Sequence, residues 1–89
     1  MPTVTFTANI QRHVPCPNSV VPGRTVREAL DAVFAGNPRA RGYVLDDQGS
    51  LRKHMAIYLD AEIILDRGRL SDPVTDTSTI HVFQALSGG

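Results

Sequence analysis

The sequence closes with Ser78-Thr79-Ile80-His81-Val82-Phe83-Gln84-Ala85-Leu86-Ser87-Gly88-Gly89, the stretch that decides the fold. β-Forming residues fill its first half, and the side chains alternate with the two-residue period of a strand. Ile80, Val82 and Leu86 fall on one face, which can join a core. His81 and Phe83 fall on the other face, which can meet a partner. The pattern predicts a final strand with one buried and one amphipathic face.

The three residues that follow this strand have no apolar side chain to bury. Ser87 is small and polar, and Gly88 and Gly89 have no Cβ to restrict φ. We therefore expect a single domain over residues 1–86 and a flexible tail over residues 87–89. Measured from Leu86, a straight tail reaches roughly 10 Å at about 3.3 Å per residue. Such a tail is slim enough to enter a narrow channel on another protein.

The first third of the chain predicts a strand, a hairpin return and a helix. Apolar residues alternate with threonine and asparagine over residues 4–10, which indicates a half-buried first strand. Prolines then interrupt the chain up to residue 22 and leave room for a short second strand at 19–21. Thr25 and Glu28 have the spacing of a capping box, so a helix should begin there and stop at Gly36-Asn37-Pro38. Its apolar face carries Val26, Ala29, Leu30, Val33 and Phe34.

The remaining segments complete a mixed sheet. Residues 39–45 indicate at most a short helical turn, and a turn at 46–49 follows. Met55, Ile57 and Leu59 alternate in a strand, and the turn at Asp60-Ala61 leads to a short strand at 62–65. This order predicts an α+β fold of the β-grasp type, with a four- to five-stranded mixed sheet and one main helix packed across it. We expect the first and last strands to be neighbours at the centre of the sheet. They run parallel if the helix lies in the crossover between them, and the right-handed rule then narrows the topology.

Composition excludes several classes of protein. The chain has nine basic and nine acidic residues, so no overall field attracts nucleic acid or an anionic membrane. No apolar run is long enough to span a bilayer, and no signal peptide is recognisable, so we expect a cytoplasmic protein. A single cysteine excludes an internal disulfide and a multi-thiolate metal site.

No constellation of side chains predicts an enzyme. Cys16 lies between two prolines, a context that predicts an exposed thiol, and His13 lies three residues before it. Two ligands do not make a zinc site, and a nucleophilic cysteine needs an identified base. His54 and His81 fall within predicted strands, where a surface position is the ordinary interpretation. A chain without an active site but with an accessible terminal carboxylate is better interpreted as a protein substrate.

The run from Ser78 to Val82, followed by Gly88-Gly89, resembles the end of ubiquitin. The whole chain resembles ubiquitin-like sulfur carriers of the MoaD/ThiS family, and His81 corresponds to a surface histidine of ubiquitin. The resemblance implies that the carboxylate of Gly89 is adenylated and then converted to a thiocarboxylate, with Gly88 and Ser87 giving access. It also implies a docking surface that includes His81, Phe83 and Leu86.

The partners implied by the resemblance are an E1-like adenylyltransferase/sulfurtransferase and a sulfur-accepting biosynthetic enzyme of the cysteine, molybdopterin or thiamine type. ATP and Mg²⁺ belong to the activating partner, and we expect no intrinsically bound cofactor or metal. Three alternatives stay open: the small subunit of molybdopterin synthase, a ubiquitin-like protein modifier joined through Gly89 to lysine, and a non-catalytic binding module. Ala85 and Ser87 stand where ubiquitin has arginines, which weighs against the general modifier.

Overall fold

The computed structural model describes residues 1–84, and the predictions for residues 85–89 lie outside this described part. Within it, the chain forms five strands and three helices. In chain order they are β1 (Thr3–Phe6), α1 (Ala8–His13), β2 (Ser19–Val20), α2 (Val26–Phe34), α3 (Pro38–Val44), β3 (Met55–Leu59), β4 (Glu62–Ile63) and β5 (Thr79–Gln84).

The sheet has the order β2-β1-β5-β3-β4, which places β5 at its centre. β1 and β5 pair in parallel, from Thr3 opposite Thr79 to Phe6 opposite Val82. The other three pairings, β1 with β2, β3 with β5 and β3 with β4, are antiparallel. The predicted mixed sheet with parallel neighbours at its centre is therefore confirmed.

The predicted first strand over residues 4–10 is wrong in its second half. β1 ends at Phe6, and α1 begins at Ala8. Phe6, Ile10 and Val14 are all buried and lie four residues apart. The segment therefore contains a helical pattern of apolar residues in addition to the alternating pattern of a strand. The structure follows the helical period from Ala8 onward, which buries Ile10 and leaves Ala8 exposed. The predicted short second strand is confirmed at Ser19–Val20.

The main helix, α2, begins with the predicted capping interaction. The Glu28 backbone N–H donates to Thr25 Oγ1 over 3.2 Å. The Glu28 carboxylate reaches one residue further back than in a regular capping box and accepts from the Arg24 N–H at 2.9 Å. Val26, Ala29, Leu30 and Phe34 are buried against the sheet, and Val33 packs at the edge of the core.

A second cap makes α3 longer than the predicted helical turn. Asn37 accepts a hydrogen bond from the Ala40 N–H at 3.3 Å, and Pro38 occupies the first helical position. Asparagine at the cap followed by proline is a favourable helix start. The segment that stops α2 therefore also begins α3.

The connection from β3 to β5 is shaped by carboxylate oxygens. Asp60 adopts a positive φ of 56° between β3 and β4, and its side chain accepts from the Thr79 N–H at 2.9 Å. β4 covers only Glu62–Ile63, which is shorter than predicted. Beyond it, Asp66 accepts from the backbone N–H of Arg69 at 2.9 Å and from the Ser71 hydroxyl. These local bonds organise a segment with little regular structure.

Candidate functional site

The outer face of the sheet, opposite α2, is the best candidate for a recognition surface. Its central feature is an outer-face patch, defined here as Ala56, Tyr58, Ile63, His81 and Phe83. The register places Tyr58 opposite His81 and opposite Ile63, and Ala56 opposite Phe83. Residues directly opposite in a sheet share a face, so all five side chains lie on the same side.

Two specific contacts order this patch. The rings of Tyr58 and Phe83 meet edge to face, with centroids 5.2 Å apart and planes inclined at 81°. His81 Nδ1 lies 2.7 Å from Thr5 Oγ1 on β1, within hydrogen-bonding distance. The patch therefore presents an aromatic pair beside a histidine whose ring orientation is held by the neighbouring strand.

The patch exposes apolar surface to solvent. Tyr58 is 41% exposed and Ile63 is 53% exposed, while Ile57 and Val82, on the opposite face of the same sheet, are fully buried. The predicted division of β5 into a buried and an exposed face is confirmed for residues 79–84, with His81 and Phe83 together on the outer face. Leu86, the third residue predicted to bind a partner, lies outside the described residues.

Tyr58 and Ile63 were missed as patch residues, although the alternation of β3 already assigned Tyr58 to the face opposite Ile57. What the sequence did not contain was the register between β3, β4 and β5. That register depends on the turn at Asp60-Ala61, where Asp60 has a left-handed backbone conformation.

A second feature lies where β5 ends. Gln84 Oε1 accepts hydrogen bonds from the Tyr43 hydroxyl at 3.0 Å and from Asn9 Nδ2 at 3.1 Å. Tyr43 belongs to α3 and Asn9 to α1, so three elements meet at one amide oxygen. The sequence contained no signal for this arrangement, because the three residues are distant along the chain.

The structure does not bring Cys16 into a reactive site, and its predicted exposure is wrong. The Cys16 side chain is 1% exposed, and its Sγ lies 3.1 Å from the Val14 carbonyl oxygen, to which the thiol donates. Burial raises the pKa of the Cys16 thiol and so favours the unreactive protonated form. The His13 ring stacks on Tyr43 at a centroid distance of 5.7 Å.

Within residues 1–84, no three histidine, cysteine or carboxylate side chains lie close enough to hold a metal ion. His54, in the turn before β3, is exposed. Ser87, Gly88 and Gly89, the predicted tail residues, lie outside the described part of the chain. In residues 1–84 no helix combines the length and the apolar character needed to cross a membrane.

The fold defines the protein as ubiquitin-like, of the β-grasp class. SAMP1 from Haloferax volcanii is 24% identical over 99% of this chain and 98% of that chain, with a TM-score of 0.75. The Amycolatopsis orientalis BexX/CysO complex contains a chain that is 22% identical over the full length of both chains, with a TM-score of 0.81. Mycobacterium tuberculosis CysO is 18% identical over 97% of this chain and 100% of that chain, at a TM-score of 0.79.

The sequence defines the family more narrowly. The sequence model of the ThiS family matches residues 5–89, which include the terminal glycines, and the chain belongs to this family. Its members are small ubiquitin-like carrier or modifier proteins. No curated protein sequence matches the chain.

Proposed function

We propose that this protein is a sulfur carrier that works through the carboxylate of Gly89. The observation that carries the proposal is the ThiS-family match, which runs through β5 to the last residue of the sequence. β5 is the central strand, hydrogen-bonded to β1 on one side and β3 on the other. A reactive group attached beyond it has the most firmly held element of the fold as its base.

The chemistry explains why a carrier of this kind needs an enzyme. A carboxylate is a poor electrophile, because attack adds negative charge to a centre that is already anionic. In the proposed sequence the Gly89 carboxylate attacks the α-phosphorus of ATP, forming an acyl-adenylate and releasing pyrophosphate. Sulfide then attacks the acyl carbon, the bond to AMP breaks, and a thiocarboxylate is left on Gly89. ATP, Mg²⁺ and the catalytic side chains belong to the E1-like activating enzyme.

The outer-face patch is the proposed docking surface for that enzyme. It combines a histidine with an aromatic pair in which Tyr58 is exposed and Phe83 is half-buried, and aromatic residues are enriched where protein interfaces derive most of their binding energy. In the sequence, β5 is followed closely by Leu86 and the terminal glycines. An enzyme that binds His81 and Phe83 is therefore bound within a few residues of Gly89, on which it acts.

Two points follow from this proposal: which enzyme accepts the sulfur, and how a carrier is distinguished from a protein modifier. The acceptor of the sulfur is a biosynthetic enzyme of the cysteine, molybdopterin or thiamine type. If it is of the molybdopterin type and the complex is permanent, the chain is the small subunit of molybdopterin synthase. The second candidate function is protein modification, favoured by the similarity to a protein whose name includes "small archaeal modifier". A modifier accumulates as isopeptide conjugates with lysine, whereas a carrier accumulates as a free chain with a terminal thiocarboxylate.

Intact mass spectrometry of the protein from its own cells tests the carrier proposal. The charged chain is heavier than the uncharged chain by the difference between one sulfur and one oxygen atom. The same gain is expected when the purified chain is incubated with a lysate of those cells, ATP, Mg²⁺ and sodium sulfide. Deletion of Gly89 should abolish it without loss of folding. Charging of the Gly89-deleted chain would contradict the proposal, as would high-mass conjugates without any thiocarboxylate.

A matched pair of variants tests the docking surface. Phe83→Ala removes half of the aromatic pair and should raise the chain concentration needed for half-maximal charging by about tenfold or more. Val20→Ala is the control, because Val20 is an exposed apolar residue on the same face but on the far edge strand β2. It should leave charging unchanged. Equal effects of the two substitutions would contradict this docking assignment.

A further inference from the structure

We propose that Gln84 is a positioning residue whose side chain, held by Asn9 and Tyr43, aims the end of β5 for charging. The inference rests on the proposed function and adds residues to it that lie outside the outer-face patch. Gln84 Oε1 accepts both hydrogen bonds, from the Tyr43 hydroxyl at 3.0 Å and from Asn9 Nδ2 at 3.1 Å. We call this arrangement the Gln84 clamp.

The clamp acts where β5 loses one of its two neighbours. β1 pairs with β5 only as far as Phe6 opposite Val82, and the last ladder contact on that side is the bond from the Thr7 N–H to the Val82 carbonyl at 3.2 Å. On the other side β3 continues to Gln84, which lies opposite Met55. Residues 83 and 84 are therefore held by a strand on one side only. Asn9, from the first turn of α1, supplies the missing contact on the other.

The helices that donate to Gln84 are themselves tied together. The His13 ring stacks on the Tyr43 ring with an interplanar angle of 24°. Asn37, the residue that caps α3, donates through Nδ2 to the Pro15 carbonyl at 2.7 Å. α1 and α3 thus form a connected support on which the two donors are already placed. An acceptor whose two donors lie on helices that contact each other loses less conformational freedom in each bond than one whose donors lie on mobile segments.

Such a clamp acts by raising the fraction of molecules in which the end of β5 has the orientation that the enzyme accepts. When only a fraction of molecules present the end of β5 in the orientation that an enzyme accepts, the apparent affinity falls by that fraction. The maximal rate of a chain that is bound in the correct orientation is unaffected. Loss of the clamp should therefore raise the apparent KM for charging and leave kcat nearly unchanged.

Three glutamine variants test this assignment in the lysate assay with ATP, Mg²⁺ and sodium sulfide. Gln84→Leu removes the acceptor with little change in size, and Gln84→Glu keeps an oxygen that can accept from both donors. Gln48→Leu is the matched control, because Gln48 is exposed in the turn after α3. Two lost hydrogen bonds between neutral groups predict a rise in KM of about fivefold to tenfold for Gln84→Leu. The KM of Gln84→Glu should stay within about twofold of the wild-type KM, and the KM of Gln48→Leu should equal the wild-type KM.

A substitution in one of the two donors keeps the test valid if Gln84→Leu does not fold. Tyr43→Phe removes one donor while retaining the ring that stacks on His13, and it should raise KM by about threefold. Wild-type KM for both Gln84→Leu and Tyr43→Phe would overturn the clamp, as would a Gln84→Glu variant as impaired as Gln84→Leu. If the wild-type chain itself is not charged, the proposed function fails and the clamp fails with it. If the wild type is charged and the variants do not differ, only the clamp fails.

Discussion

Replacing Gly23 by alanine tests how closely the chain passes over the start of α2. Gly23 has a φ of +151°, and an added Cβ would lie 2.7 Å from the Ala29 nitrogen, 3.0 Å from the Ala29 Cα and 3.1 Å from the Glu28 carbonyl carbon. All three atoms belong to the backbone of α2, so no side chain can move aside. The substitution must displace either the helix or the segment before it.

The expected cost follows from two contributions. A residue with a side chain held in this backbone region costs about 1–3 kcal/mol, and forcing an additional carbon into a packed site costs about 1–3 kcal/mol more. Together they predict a loss of about 2–6 kcal/mol in the free energy of unfolding. For a domain of this size each kcal/mol lowers Tm by about 4–8 °C, so a fall of at least about 8 °C is expected.

Gly42→Ala is the matched control for this measurement. Gly42 lies within α3, and a Cβ added there meets no atom within 4 Å. Alanine is more favourable than glycine inside a helix by about 0.5–1 kcal/mol, so this variant should be slightly more stable than wild type. Urea unfolding followed by circular dichroism measures both changes. A Gly23→Ala chain within about 0.5 kcal/mol of wild type would refute the close approach.

Three further outcomes follow from the buried core and the loop carboxylates. Ile57→Ala empties a fully buried position in β3 and should cost about 2–5 kcal/mol by urea unfolding, with an unchanged m value; a loss below about 1 kcal/mol would contradict its burial. Hydrogen bonds from the Ser71 hydroxyl and the Arg69 N–H lower the pKa of Asp66, so the ionised form stabilises the fold. That stabilisation is present above the pKa of Asp66 in the unfolded chain and is lost as the pH falls through the lower pKa of the folded state. Wild type should therefore lose stability below about pH 4 more steeply than Asp66→Asn, and identical pH profiles would contradict this assignment. Cys16 should react with a thiol reagent at pH 8 far more slowly in the native chain than in denaturant, because its thiol is buried and its pKa is raised; equal rates would show that the thiol is accessible.

The sequence was most informative where one local pattern acted alone. β5 alternates strictly over residues 79–83, and the structure buries Ile80 and Val82 as the alternation requires. The capping residues Thr25 and Glu28 fixed the start of α2 because their side chains bond only to backbone groups nearby. In these two segments a pattern among neighbouring residues was sufficient for a correct prediction.

Prediction failed where two local patterns competed or where contacts joined distant segments. Residues 4–10 satisfy a strand period, whereas Phe6, Ile10 and Val14 satisfy a helical one, and the structure follows the helical period from Ala8. Cys16 lies between prolines that indicate exposure, yet it is packed into the core cluster. The Gln84 clamp joins residues 9, 43 and 84, and no pattern within a single segment indicates that contact.

The parallel pairing of β1 with β5 has a consequence for biosynthesis. Thr3 and Thr79 are partners in the sheet although they stand at nearly opposite ends of the sequence. A nascent chain cannot assemble this sheet until its final strand has left the ribosome, and contacts between distant segments form slowly. A polypeptide interrupted before residue 79 lacks the centre of its sheet and is exposed to proteolysis. Folded copies should therefore come almost entirely from chains that were translated through β5.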